Sequence, residues 1–117
     1  MPRIITCGGP QRATEFSYEG SMQGGFVIMF DSGNIPLAAE FLQAIITEFR
    51  GKTIRGGFEM DNPPADGFGK WVQDHSVLLN GRHLTPKHAS HIAAILRHEG
   101  YLNCRLDGNA VLLDFKP

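Results

Sequence analysis

The sequence predicts an α+β fold: a β-rich opening third, then a helix, a short strand, two further helices and a closing hairpin. Three observations lead there. Phe26-Val-Ile-Met-Phe30 is an unbroken apolar run between Gly25 and Asp31, the length of a buried strand and too short for a helix. Three later stretches carry apolar residues at helical spacing, and each is closed by a glycine. Asp107-Gly108 separates two alternating segments, and such a dipeptide favours a two-residue hairpin turn.

Taken in order, Arg3-Ile-Ile-Thr6 reads as a short strand ended by Gly8-Gly9-Pro10. Residues 14–19 alternate, with Phe16 and Tyr18 on one face, and pair antiparallel with 26–30 across the Gly20–Gly25 loop. Asp31-Ser-Gly-Asn34 is a turn. Pro36 suits the first turn of a helix, so a helix is expected from Ile35 to Arg50, with a wide apolar face and Gly51 as its stop. Residues 52–55 form a short strand, and Met60–Gly67 forms a long loop. Asp66 caps a second helix over 67–79, in which Phe68, Trp71 and His75 fall on the apolar stripe. Thr85-Pro86 opens a third helix that runs to Glu99. In the hairpin, a turn at Asp107-Gly108 pairs Leu106 with Asn109, Cys104 with Val111 and Leu102 with Leu113. No internal repeat or linker divides the chain, so residues 1–117 read as one domain: a β-hairpin extension over 1–33 and a core over 34–117.

Composition narrows the function classes. No apolar run is long enough to cross a bilayer, and the opening residues lack the apolar stretch of a secretory leader, so a cytoplasmic chain without a membrane partner is expected. Cys7 and Cys104 have no neighbouring cysteine, which excludes a CxxC pair. In a reducing cytosol two free thiols are expected, with one long-range disulfide as the alternative. The net charge of −1 excludes a bulk-basic nucleic-acid binder, but the distribution is uneven. Between Asp74 and Glu99 there is no acidic residue, and all five histidines lie there with Arg82, Lys87 and Arg97.

From residue 35 onward, the element order and the run Thr85-Pro-Lys-His-Ala-Ser-His-Ile-Ala-Ala-Ile-Leu-Arg-His-Glu-Gly100, passing directly into a hairpin, resemble the winged helix-turn-helix fold. The resemblance covers roughly 80 residues, at the level of element order. It implies that helix 86–99 reads a DNA major groove and that the hairpin is the wing. On that helix Ala89, Ile92, Ala93, Ile95 and Leu96 form an apolar arc, while Lys87, Ser90, His91, Ala94, Arg97 and His98 form the opposite one. By the resemblance Lys87, Ser90 and His91 face bases, Arg82 and Arg97 meet phosphates, and Arg105 is the wing's cation. Against this stand the ordinary polarity of any exposed helix face and the aspartate at the wing tip, Asp107-Gly-Asn109, which repels phosphate.

The sequence therefore leads to a small non-enzymatic DNA-binding protein. The alternative is a protein-interaction module on the same scaffold, an adaptor or inhibitor, with a homodimer as one form. No cofactor is expected. His88 and His91 stand at i and i+3 but lack an HExxH spacing and a defined third ligand, so no metal site is expected. Cys7-Gly8-Gly9 reads as a turn rather than a nucleophile, and Arg50-Gly-Lys-Thr lacks the spacing of a phosphate loop.

Overall fold

A computed structural model describes residues 3–7, 14–108 and 110–117. Its element order is β1 (Arg3–Ile5), β2 (Glu15–Ser21), β3 (Gly25–Phe30), β4 (Gly33–Leu37), α1 (Ala39–Phe49), β5 (Thr53–Arg55), α2 (Phe68–Asn80), α3 (Pro86–His98), β6 (Leu102–Asp107) and β7 (Ala110–Phe115). The strands form two antiparallel sheets, one ordered β1-β2-β3-β4 and the other β5-β7-β6. The chain is α+β, as its patterning predicts.

The N-terminal part is more than a hairpin. Ile35 and Leu37 are buried while Asn34 and Pro36 are exposed, a period of two that makes 33–37 a strand instead of the expected first turn of α1. Pro36 is tolerated because β4 is an edge strand, where a missing N–H breaks no second ladder. The register aligns Tyr18, Ile28 and Ile35 in one row, and Gly20, Phe26 and Leu37 in another. One face of this sheet is thus aromatic and aliphatic, and it joins the same buried core as the helices and the second sheet.

Helix starts depart from or follow the sequence for local reasons. Gly67, not Asp66, is the N-cap of α2. The Gly69 amide bonds the Gly56 carbonyl at 2.8 Å, and a Cβ at Gly69 would lie 2.1 Å from the Gly57 carbonyl oxygen. Only glycine allows that approach. Thr85 caps α3: its Oγ1 accepts from the His88 amide at 3.3 Å, and its own amide donates to His88 Nδ1 at 3.1 Å. Histidine takes the place that Glu or Gln fills in the usual capping box. Thr85→Ala is expected to lower stability by about 1 kcal/mol, read from the shift in a urea unfolding midpoint.

The closing hairpin exists with a different register. Leu102 pairs Phe115, Cys104 pairs Leu113 and Asp107 pairs Ala110, so Asp107 belongs to the strand and the turn begins at Gly108. Gly108, at φ 64°, supplies the positive φ that such a turn requires. The expected pairing of Asn109 falls outside the described residues. Because each partner moves by two positions, the side-chain faces are unchanged, and Leu102, Leu113 and Phe115 still point into the core.

The two cysteines are bonded to each other. Cys7 lies just beyond β1 and Cys104 lies in β6, with Cα atoms 6.1 Å apart across a separation of 97 residues. This corrects the expectation of free thiols: the fold brings both ends of the chain beside α3, which packs on β1 and on β6. Such a bond persists in oxidising surroundings, which the expected cytoplasmic setting does not provide.

Candidate functional site

The expected site begins on α3, and there the geometry differs from the sequence reading. Ala89 through Leu96 are all buried, eight successive residues that cover every side of the helix. Ser90 and His91 were expected to point outward. Instead, the His91 ring sits edge-on to Phe16 at 4.9 Å and to Phe30 at 5.0 Å, under the first sheet. Its Nδ1 lies 3.2 Å from the Lys87 carbonyl, and burial pushes its pKa down to about 4. Ser90 donates to the same carbonyl at 2.6 Å. Small residues on α3 admit the sheet so closely that no open helical face remains between Ala89 and Leu96.

The cations of the expected site are dispersed. Arg97 donates to the Ile5 carbonyl at 2.8 Å, which fastens β1 to α3. His98 is exposed and lies edge-on to Tyr18 at 6.0 Å. Tyr18 donates to Glu99 at 2.6 Å; burial first, and then that carboxylate, push its pKa up. Arg105 donates to Asp114 at 2.7 Å, and this bond holds the Asp114 carboxyl below its usual range. The wing's expected cation is therefore engaged within its own sheet. Arg82, His83 and Lys87 remain exposed beside the start of α3, and among the described residues none of them is paired with a carboxylate. Burial, followed by the charges of these three, lowers the pKa of His88.

A different surface is open. Asn80, at the end of α2, accepts from the Ala38 amide at 2.6 Å and donates to the Pro36 carbonyl at 3.1 Å. These bonds hold the end of α2 against the start of α1. Between the two helices lies a solvent-open recess of about 690 Å³. Glu40, Gln43, Thr47 and Glu48 line it from α1, with the small Ala39 and Ala44, and Trp71 and His75 line it from α2.

Trp71 was expected in the core, but it is only half-buried. It packs on Phe41 and Phe49 and stacks with His75 at 4.3 Å. His75 donates from Nδ1 to the Trp71 carbonyl at 2.7 Å, which leaves Nε2 as an acceptor in the neutral ring. Leu78 continues the Trp71–His75 stripe by one turn and is 85% exposed, and neighbouring Val77 is 60% exposed. Helical spacing in the sequence marks this stripe, but not which part of it α1 leaves uncovered. No protein-family model, curated protein or solved structure matches this chain, so the site rests on its own geometry.

Proposed function

We propose that this chain is a protein-interaction module that meets its partner with the α1–α2 surface. One contrast supports the reading. The face of α3 that a groove reader must present lies under a sheet, whereas the recess beside Trp71 is open and rimmed by carboxylates, and Leu78 is exposed one turn beyond His75 on the same helix. Half-buried aromatics beside exposed aliphatics are the makings of a protein contact. Glu40 and Glu48 at the same place repel a phosphate backbone.

A second reading, nucleic-acid binding, rests on Arg82, His83 and Lys87 near the start of α3, which pair with no carboxylate among the described residues. It needs contact through side chains at one end of the helix, because Ser90 and His91 are not presented. Site-specific photo-crosslinking in an extract of the source cells separates the two. A benzoylphenylalanine in place of Leu78 is expected to yield a discrete protein adduct that is absent when the same group replaces the exposed Gln23. Equal labelling from both positions, or nucleic-acid adducts from a crosslinker at Lys87, would overturn the protein reading.

A further inference from the structure

We infer that the α1–α2 recess receives one face of a basic amphipathic helix from a partner protein, with the Trp71–His75–Leu78 stripe taking its apolar residues and Glu40 and Glu48 taking its cations. The inference rests on the protein-interaction reading and names the partner's chemistry. Charge complementarity carries it. Among the described residues, the lining includes two carboxylates and no lysine or arginine. Asp74 adds a third carboxylate on the exposed side of α2, although Lys70 engages it at 3.0 Å. Lys52 approaches Glu48 only to 3.9 Å, with both side chains exposed, so an incoming cation displaces little.

Spacing fits a helix. Glu40 and Glu48 are eight residues apart on α1, about 12 Å along the axis, which matches cations two turns apart on an incoming helix. Between them, the recess has length and volume for several side chains rather than one. Leu78 is 85% exposed one turn beyond His75 on the same stripe of α2, and it supplies the apolar contact that a purely ionic ligand would leave exposed.

Trp71 is the chain's single tryptophan, so its emission reports occupancy of the recess directly. The probe is a synthetic peptide of about 18 residues, long enough to hold a helix, with leucines on one stripe and lysines two turns apart beside it. The expected result is a saturable change in Trp71 emission that weakens with salt. Combining Glu40→Gln with Glu48→Gln should weaken it about tenfold, the sum of two exposed ion pairs. Leu78→Ser should weaken it as well. All three positions are exposed, and unchanged thermal melts confirm that the variants fold.

Equal affinity for the peptide carrying Glu for Lys, equal affinity for a scrambled peptide, or no saturable change would each overturn the basic-helix assignment. Salt-sensitive dimerisation through this surface, seen by sedimentation without peptide, would overturn it in favour of a second copy of the chain. The broader reading fails separately: if the peptide does not bind but Leu78 still crosslinks a protein, the interaction module stands and only its partner's chemistry is wrong.

Discussion

Replacing Cys7 and Cys104 together with serine is expected to lower stability by about 4 kcal/mol, through the entropy that the unfolded chain regains when so long a loop is opened. The bond closes 97 residues of sequence, so nearly the whole chain lies inside the loop. It also joins the first sheet to the outer strand of the second, with α3 packed on both β1 and β6. Calorimetry of the double variant, or of the native chain with and without reductant, should show a melting temperature lower by roughly 15 °C. A shift below about 2 °C would mean that the crosslink adds nothing to a core already sufficient without it.

Acid is expected to destabilise the fold through His91 before most carboxylates titrate. The ring is 4% exposed between Phe16 and Phe30, and burial holds its folded pKa near 4 against about 6.5 in an unfolded chain. The folded state disfavours the imidazolium, so below pH 6.5 the unfolded state binds the extra proton. The contribution is therefore complete above about pH 6.5 and is lost as pH falls towards 4, amounting to about 3 kcal/mol over that interval. Urea unfolding at a series of pH values should show this slope in the native chain and lose it in His91→Leu. An NMR titration of the His91 ring is the second check. A folded-state pKa near 6.5 would mean that the sheet does not cover this face.

What the sequence made legible was mostly local. Glycines, the Thr85-Pro86 start and the apolar periods located the three helices and most strands. Besides the N-cap of α2, which falls on Gly67 instead of Asp66, two local signals mislead because a second signal competes with each. Pro36 looked like a helix start, yet the alternation of Ile35 and Leu37 with exposed neighbours made it an edge strand. Asp107-Gly108 reads as the turn, yet Asp107 pairs with Ala110 and belongs to the strand, which moves the register by two.

The remaining differences are tertiary. Ser90 and His91 are polar, so period alone assigned them to solvent; only the placement of the first sheet shows that they are covered. Nothing in a spacing of 97 residues indicates that Cys7 meets Cys104. Trp71 sits on an apolar stripe in any reading, and it becomes part of a surface only because α1 covers its helix incompletely. The candidate site therefore lies in the recess between α1 and α2 rather than on α3, and the acid-free window divides: His91 packs inside, His88 caps α3, His75 lines the recess, and His83 and His98 are exposed.

The most direct test of the claim that α3 is an interior helix and the partner is a protein is binding to duplex DNA measured against salt. A fluorescent duplex titrated with the chain at about 50 mM salt is expected to show no binding, because the exposed Arg82 and Lys87 offer too few phosphate contacts without a helix in the groove. Tight binding that falls steeply with salt, with the slope flattened by Lys87→Ala or Arg97→Ala, would contradict it.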